Sequence, residues 1–457
     1  MSESTKPRAP NPRSAEGAAP QPGAPPVLLV HPPVYDTRFP WGKWQQALSL
    51  LRYAALLQAD GVVVKYLDAL AMPKGSRLRR EKWGNLDLDG QRVDRWRYGR
   101  ARSELARVMR SLLNVGPAPA RVVVECGTSF WWRGVREVAE LAGEAFPRAT
   151  IEVVGPYAAL FPDHAATVAG ALPITLPDDT LARSPSWGLP AGKLAIGYLH
   201  TAGGTRSADQ VLGDIFTASK HGTTLFAFAE HGLAGSHPDL LTSILEQVVA
   251  RKPRRVSFVS SGTLAPDELI AHPHLPELMR KAGFRQLFFA DDRNIPEGGT
   301  ERFIEDCTRA AMLCHKAGFR ARSDELAAGI CLGRPGEDLD ERARVLTAAS
   351  HALGSVVVWP YQPAAAEMPG SDPEDMNGKL FPLRAQNGAT YRDYLNVLGL
   401  ATVLNAKYRE HTFDFLGDSL MARLFRDSLA REAWNPEQAV KGSLQLPAPR
   451  HRLRGAA

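Results

Sequence analysis

Cysteine thiols are the first groups in this 457-residue chain whose spacing could do chemistry, because thiolates bind iron and zinc. The chain has Cys126, Cys307, Cys314 and Cys331. Cys307 and Cys314 are seven residues apart on one face of a predicted helix, and Cys331 lies inside a predicted strand. Cysteines within such elements are commonly small apolar residues, so we interpret these thiols as core residues, and they form no disulfide framework.

Two other groups of polar side chains follow predicted strands. Glu230, His231 and His237 have a spacing that matches no metal-ligand pattern, so we interpret them as turn and cap residues. Asp291 and Asp292 follow a strand of the second half, where carboxylates of a parallel barrel face its open mouth. We therefore predict a ligand-binding role for this pair, with a helix cap or a loop salt bridge as an equal alternative.

An arginine-rich insertion, residues 73–115, could bind an anion. Its arginines are Arg77, Arg79, Arg80, Arg92, Arg95, Arg97 and Arg100, and its tryptophans are Trp83 and Trp96. One interpretation is a solvated, partly helical excursion. The other is a basic, aromatic patch for an anionic substrate.

Strands and helices alternate through the first half. We predict strands at 27–30, 62–67, 121–124 and 151–154, with helices at 44–57 and 133–145. This alternation predicts a doubly wound parallel sheet with helices on both faces. Ligands of such sheets bind beyond the carboxyl ends of the strands, so the predicted ligand edge comprises residues 31–44, 126–132 and 155–161.

The same alternation resumes in the second half. We predict strands at 194–199, 224–229, 256–259, 286–290, 327–332 and 355–359, and helices at 208–219, 240–250, 275–282, 300–316 and 338–352. Six such repeats predict a partial (βα)6 TIM-like barrel, followed by an amphipathic helix at 391–407 and a helix at 416–434.

The fifth of these barrel strands ends in a Gly-x-Pro-Gly-Glu turn. Gly333 and Gly336 permit backbone that a Cβ would obstruct, and Pro335 fixes one dihedral angle. Glu337 and Asp338 place negative charge where the dipole of the next helix is positive. The pattern therefore predicts a strand, a tight turn and a helix N-terminus.

Composition bounds the class of protein. The chain is 44% hydrophobic and 23% charged, with a formal net charge of +6. Arginine is spread along the chain, so we interpret the charge as compositional and do not expect nucleic-acid binding. No apolar run approaches the ~20 residues of a membrane span, and no signal-peptide core is present. We expect a cytoplasmic protein that does not insert into membranes.

We divide the chain into six segments. They are a disordered tail at 1–26, a doubly wound domain at 27–176 with the insertion 73–115, a linker at 177–190, a partial barrel at 191–365, a helical region at 366–440 and a basic tail at 441–457.

Three motifs resemble those of radical S-adenosylmethionine proteins that carry an N-terminal cobalamin-binding domain. The turn at 333–337 resembles the turn after their fifth barrel strand. Val30-His31-Pro32-Pro33 and Val154-Gly155-Pro156-Tyr157 resemble two turns of their cobalamin-binding domain, over residues 27–187. The resemblance implies cobalamin between the two domains. The candidate cofactor-binding residues are His31, Pro32, Pro33, Thr128, Gly155, Pro156, Asp291 and Asp292.

The chain departs from this family where the family binds metals. After the first barrel strand the family has C-x-x-x-C-x-x-C, which holds three irons of a [4Fe–4S] cluster, whereas residues 200–207 read His-Thr-Ala-Gly-Gly-Thr-Arg-Ser. We therefore expect no cluster. In the family, S-adenosylmethionine binds the fourth iron of that cluster. Without the cluster, this chain lacks the iron that would bind S-adenosylmethionine. The Asp-x-His-x-x-Gly loop of other cobalamin enzymes is also absent, so we name no metal-binding residue.

Three functions stay open. The first is a non-radical homologue, in a biosynthetic or modification pathway, that binds a corrinoid or another small molecule. The second is an enzyme with different chemistry in the same cavity, such as methyl transfer. The third is an accessory subunit whose partner is a protein, an active relative.

Anaerobic reconstitution with iron and sulfide tests the cluster directly. Because the loop at 200–207 offers no thiolate, we expect no stoichiometric incorporation of iron. Bound iron at about four atoms per chain, with the paramagnetic signal of a reduced cluster, would show that other residues hold it.

Overall fold

The computed structural model describes residues 25–37, 47–71, 78–190, 196–230, 232–260, 264–290, 299–320, 325–334, 336–361, 372–378, 380 and 388–408. Outside these residues lie the predicted helix at 416–434, residues 1–24 of the predicted N-terminal tail, the C-terminal tail at 441–457, and Asp291 and Asp292. Within them, no helix has the length and hydrophobicity that a membrane span requires.

The first half contains eight strands and five helices among its described residues. The strands are β1 (Val27–His31), β2 (Val34–Thr37), β3 (Val64–Asp68), β4 (Arg80–Leu88), β5 (Gln91–Tyr98), β6 (Arg121–Glu125), β7 (Thr150–Val154) and β8 (Leu172–Pro173). The helices are α1 (Leu48–Ala59), α2 (Arg102–Ser111), α3 (Trp132–Ala145), α4 (Pro156–Leu160) and α5 (Pro162–Thr167).

Five of these strands form a parallel sheet in the order β3-β1-β6-β7-β8. Successive side chains of β1 point to opposite faces. Val27 and Leu29 belong to one apolar cluster with α1, whereas Leu28 and Val30 belong to another with α3. Helices therefore cover both faces, and the predicted mixed α/β fold with parallel sheets is confirmed.

The described part of the insertion, residues 78–115, is partly helical, with α2 followed by a 3-10 turn at Leu112–Val115. The strands β4 and β5 were not predicted; they form a hairpin that pairs with β2 as an antiparallel sheet in the order β2-β5-β4. Asp89 and Gly90 connect the hairpin with φ values of 52° and 74°, as a two-residue type I′ turn requires. The strands are rich in polar and half-buried residues, so they lack the apolar run on which the strand predictions depended.

A buried ion pair fastens this antiparallel sheet to α3. The Arg97 guanidinium donates two hydrogen bonds to Glu137, at 2.7 and 2.6 Å, and both side chains are at most 5% exposed. The Tyr35 hydroxyl donates to the same carboxylate at 2.7 Å. Three donors in parallel thus hold β2 and β5 against one helix.

The second half is built from six βα repeats. Its strands are β9 (Gly197–Leu199), β10 (Leu225–Phe228), β11 (Ser257–Val259), β12 (Phe284–Ala290), β13 (Leu326–Leu332) and β14 (Val356–Pro360). Its helices are α6 (Ala208–Lys220), α7 (Leu233–Ser236), α8 (Pro238–Arg251), α9 (Pro266–Ala271), α10 (Leu275–Ala282), α11 (Gly299–Lys316), α12 (Leu339–Leu353) and α13 (Tyr391–Tyr408).

The six strands are parallel and lie in sequential order from β9 to β14. This is the order expected of a partial (βα)6 barrel. Large apolar residues of the strands pack with the helices in one core cluster. A smaller cluster on the strands comprises Ile196, Ala227 and Val259. The predicted linker at 177–190 is folded, and its Trp187 is buried in the larger cluster.

The turn after β13 has the predicted form. Gly333 and Gly336 have φ values of 100° and 72°, and Asp338 caps α12 by accepting hydrogen bonds from two backbone N–H groups. The Glu337 side chain is buried and accepts a hydrogen bond from the Gly333 N–H group. It also forms a hydrogen bond with Tyr394 of α13. Burial raises the pKa of Glu337 to about 7, although Gly333 and Arg342 oppose the shift.

Glu337→Gln should remove part of the pH dependence of stability. Because its pKa is raised in the folded state, Glu337 contributes stability below its ordinary pKa of 4.5 that is lost as the pH rises through about 7. Relative to wild type, the glutamine variant should gain roughly 3 kcal/mol in the free energy of unfolding between pH 4.5 and pH 8.

Urea unfolding at several pH values measures this difference. Asp340→Asn, at an exposed carboxylate in the first turn of the same helix, is the matched control and should change the free energy of unfolding by less than about 1 kcal/mol at any pH. Parallel profiles for wild type and Glu337→Gln would contradict the assignment.

Candidate functional site

The carboxyl edge of the doubly wound sheet is where its topology favours a ligand. Chain order reverses between β1 and β6, because β3 lies on the other side of β1. Ligands of open parallel sheets bind in the crevice at such a switch point. β2 follows β1 directly, and a 3-10 turn, Ser129–Trp131, follows β6. Both elements therefore stand at this edge.

A small recess lies between these elements, and its empty space of about 250 Å³ includes open solvent. Its walls come from β2, the β4–β5 hairpin, the turn after β6, and a segment that follows the second sheet, which we call the return segment (residues 372–378 and 380). The lining residues are Tyr35, Asp36, Thr37, Leu86, Arg95, Phe130, Glu374, Asn377 and Leu380. Residues from both halves of the chain thus enclose one space.

Asp36 forms the polar wall on the β2 side. Its carboxyl group accepts hydrogen bonds from the Thr37 N–H group at 2.7 Å, from the Trp131 indole at 2.9 Å and from the Asn377 amide at 3.4 Å. The Asn377 contact connects the return segment to the first sheet. Asp36 is therefore held rigidly by donors from β2, the turn after β6 and the return segment.

Glu374 forms the opposite wall with two arginines. Arg95 of β5 donates to its carboxylate at 2.5 Å, and Arg133 of α3 donates at 2.7 Å. Both guanidinium groups lie over the Trp83 ring, at 4.0 and 4.8 Å from its centroid, and Arg133 also lies over Trp132. Burial lowers the pKa of Arg95, while Glu374 acts in the opposite direction. We call Arg95 and Arg133 the arginine clamp.

Three titratable side chains meet at the ends of β1, β3 and β6. His31 Nδ1 lies 3.0 Å from Asp68, and Glu125 accepts from the Leu50 N–H group at the start of α1. Burial alone would lower the pKa of His31, but Asp68 and Glu125 outweigh it and the pKa is raised. Burial raises the pKa of Glu125. For Asp68, burial is outweighed by His31 and backbone donors, so its pKa is lowered.

Six of the predicted cofactor-binding residues belong to the first half and lie around this edge, and none of these six lines the recess. A Cβ on Gly134 of α3 would lie 1.9 Å from the Pro33 carbonyl oxygen, so Pro32 and Pro33 pack against that helix. A Cβ on Gly155, at φ 101°, would lie 2.6 Å from the Cys126 carbonyl oxygen. The requirement for glycine at 155 is therefore close backbone packing.

Of the remaining predicted residues, Pro156 begins α4, and Thr128 immediately precedes the turn after β6. The Thr128 hydroxyl oxygen is buried without a hydrogen-bond partner. His31 is bound to Asp68 as described above. Asp291 and Asp292 lie outside the described residues.

The four cysteines are buried, and none of them forms a disulfide. Burial raises the pKa of Cys314 to about 12 and raises that of Cys126 as well. Among the described residues, no group of three or more His, Cys, Asp or Glu side chains could hold a metal ion. Their interpretation as core residues agrees with this burial.

At the carboxyl end of β9, the loop that lacks cysteine folds back on itself. Glu230, after β10, accepts from the Thr201 N–H and hydroxyl groups at 2.5 and 2.8 Å and lies 2.9 Å from His200 Nδ1. Burial would raise the pKa of Glu230, but these partners outweigh it and the pKa is lowered. Arg206 at the loop's end forms a buried ion pair with Asp214 at 2.8 Å.

An arginine of the first half reaches this loop. Arg52 of α1 is 2% exposed, and its Nε and Nη2 atoms have no hydrogen-bond partner. Its pKa is lowered to about 10, chiefly by burial and next by Arg206, while Asp214 and Glu230 oppose the shift. Arg52 therefore brings a cation from α1 to the carboxyl end of the second sheet. The sequence signal was an arginine inside an apolar helical pattern.

Most described arginines of the insertion are paired within the protein. The pairs are Arg79 with Glu81, Arg92 with Asp94, Arg95 with Glu374, Arg97 with Glu137 and Arg100 with Glu104. Arg80 lies over the Trp96 ring, and Arg77 lies outside the described residues. The insertion is thus folded, and it keeps an excess of basic residues, twelve against five acidic ones. Arg95 and Arg97 pair with carboxylates outside it.

No family model matches the chain, and no curated protein matches its sequence. Among solved structures, the chain is similar to a dihydropteroate synthase (folP) from Coxiella burnetii in complex with pteroic acid. The identity is 10% and the TM-score is 0.23, over 55% of this chain and 95% of that chain. A likeness this weak carries no argument about the fold or function of the present chain.

Arg97→Met should collapse the wall of the recess. It leaves the Glu137 carboxylate, 2% exposed, without its cation, and we expect a loss of about 3–5 kcal/mol in the free energy of unfolding. Denaturant titration measures the loss. Arg102→Met is the matched control, because Arg102 pairs with Glu140 of the same helix at an exposed site and should cost less than about 1 kcal/mol. Equal effects of the two changes would contradict the anchoring role of Arg97.

Proposed function

We propose that this protein is a non-radical homologue of the cobalamin-dependent radical proteins and that it binds a small polar molecule in the recess. One observation carries the proposal. The recess lies at the switch point of a doubly wound sheet, and its walls come from the doubly wound domain, its insertion and the return segment. A site between two halves of a chain is a common place for a small ligand.

The lining supports a polar ligand of modest size. Asp36, Glu374 and Arg95 supply charge, Tyr35 and Asn377 supply neutral hydrogen-bonding groups, and Leu86, Phe130 and Leu380 supply the apolar part. The recess has little more room than a water molecule needs, so it suits a small polar group and not a drug-sized molecule.

The loop at the end of β9 supports the absence of radical chemistry. In the radical proteins, cysteines of the corresponding loop hold the cluster. Here Thr201, Glu230 and Arg206 form hydrogen bonds and an ion pair that close the loop on itself. We propose no role for S-adenosylmethionine, because its family ligand, the fourth iron, requires that cluster.

A corrinoid is the second candidate. The strand order of the first sheet, in which the first strand lies between the second and third parallel strands, favours it, together with the His31-Pro32-Pro33 and Gly155-Pro156 turns at the carboxyl edge. The recess by itself is far too small for an intact corrinoid. We derive no chemistry from it.

Extraction of the purified full chain tests the proposal. Protein prepared anaerobically should release a small polar compound on denaturation, detected by mass spectrometry. Leu86→Trp, which fills the recess from its wall, should release none. Leu113→Trp is the matched control, because Leu113 is 43% exposed and does not line the recess. This variant should release the same compound as wild type. Identical extracts from all three proteins would exclude the recess as the site.

Hydroxocobalamin distinguishes the second candidate. If the ligand is a small polar molecule, calorimetry and visible absorbance should show no micromolar binding of hydroxocobalamin to wild type. Micromolar binding that Leu86→Trp abolishes and Leu113→Trp retains would replace our first candidate with a corrinoid. Gly155 is unsuitable as a test position, because a side chain there would meet the Cys126 backbone.

A further inference from the structure

We infer that the arginine clamp, seated on the indole ring of Trp83, is a binding site for an oxyanion group of the ligand, and that Glu374 occupies it from within the chain. This inference rests on the proposed ligand-binding function and names the chemical group that the site recognises. The group is a phosphate or a carboxylate.

The geometry of the clamp is that of an anion site. Arg95 and Arg133 come from different elements, β5 and α3, yet they converge on the two oxygens of one carboxylate at 2.5 and 2.7 Å. The guanidinium group is a planar donor fork that suits carboxylate and phosphate alike. The Trp83 ring lies against both guanidinium groups and fixes their positions through cation–π contacts.

The clamp has more donors than Glu374 uses. Arg95 and Arg133 each donate to one oxygen of Glu374, whereas an arginine side chain carries five N–H groups. A phosphate group offers three acceptor oxygens where a carboxylate offers two, so it can accept further hydrogen bonds from the same two arginines.

Replacement of Glu374 by a ligand requires little movement. The return segment is anchored independently, because Met376 is buried in the core cluster of the first half and Asn377 contacts Asp36. Rotation of the Glu374 side chain alone would free both arginines. The recess borders Arg95 and Glu374 directly, so a molecule in the recess reaches the clamp without passing through the core.

Charge also favours exchange of one anion for another. Arg95 and Arg133 carry two positive charges, and Glu374 and nearby Asp36 carry two negative charges. Removal of the Glu374 charge leaves one positive charge in a half-buried site. An oxyanion in its place restores the balance, and a chloride ion, which lacks the paired oxygens, does so with poorer geometry.

Glu374→Ala tests this inference by chemical rescue. The variant should melt at a lower temperature than wild type. Millimolar sodium phosphate or sodium acetate should restore more than half of the loss, and sodium chloride at matched ionic strength should restore less. Stronger rescue by phosphate identifies a phosphate site, and stronger rescue by acetate identifies a carboxylate site. Wild type, in which Glu374 competes, should bind the same anion at least about tenfold more weakly.

Three further variants secure the interpretation. Glu374→Gln keeps the packing and removes the charge, so it should show the same anion specificity even if the alanine variant folds poorly. Glu374→Ala combined with Arg133→Met should lose the rescue. Glu104→Ala breaks the Arg100–Glu104 pair outside the recess and should show no anion-specific effect. The inference is overturned if phosphate and acetate act no better than chloride on both Glu374 variants, or if rescue survives in the double variant.

The outcome is separable from the test of the proposed function. If a small compound is extracted but no oxyanion rescues the Glu374 variants, the ligand-binding function stands and the clamp is only structural. If rescue occurs but the extracts of wild type and Leu86→Trp are identical, the clamp binds anions but the recess is not the ligand site.

Discussion

The buried ion pair of Arg97 and Glu137 sets the position of everything around the recess. Side chains two residues apart on a strand share a face, so Arg95 and Arg97 project from the same side of β5. Arg97 pairs with Tyr35 across the sheet, and Arg95 pairs with Thr37. A one-residue slip would turn both arginines away from α3. Such a slip would leave the buried carboxylate of Glu137 without its cation, so the ion pair stabilises the observed register. The same register fixes the position of Arg95 in the clamp.

The same hairpin connects the two halves of the molecule. Its base is held by Glu137 of α3, whereas its tip belongs to the second half: Leu88 is buried in the larger core cluster, and Asp89 accepts a hydrogen bond from the Tyr391 N–H group at the start of α13. The return segment completes the closure, since Glu374 lies 279 residues beyond Arg95 in sequence. The β4–β5 hairpin thus contacts α3 through Glu137, the return segment through Glu374, and α13 through its tip.

The sequence predicted those elements whose stability is local or whose burial is complete. The centre of β6 and all of β13 are apolar runs, and α10 has its predicted limits. Burial on both faces of a strand, or a strong helical period, is visible directly in the sequence. The β4–β5 hairpin left no such trace, since ion pairs and aromatic contacts hold it. Its Asp89-Gly90 turn was nevertheless readable as a type I′ signal. The recess was not, because its walls depend on pairings between distant, individually ordinary residues such as Asp36 and Asn377.

The predicted site residues show how far a resemblance carries. The turns at Pro32-Pro33 and Gly155-Pro156 stand at the carboxyl edge, as topology requires, but close backbone contacts account for Pro33 and Gly155. Such residues shape the edge of the sheet, while the groups that line the recess come from β2, the hairpin, the turn after β6 and the return segment. At the second sheet the relation is reversed. There Glu230 accepts a hydrogen bond from Thr201, and Arg206 forms an ion pair with Asp214. These charged side chains therefore pair within the protein. At the carboxyl edge of the second sheet the charged side chains therefore pair with one another. Near the carboxyl edge of the first sheet, the arginine clamp holds one side chain, Glu374, which we infer a ligand can replace.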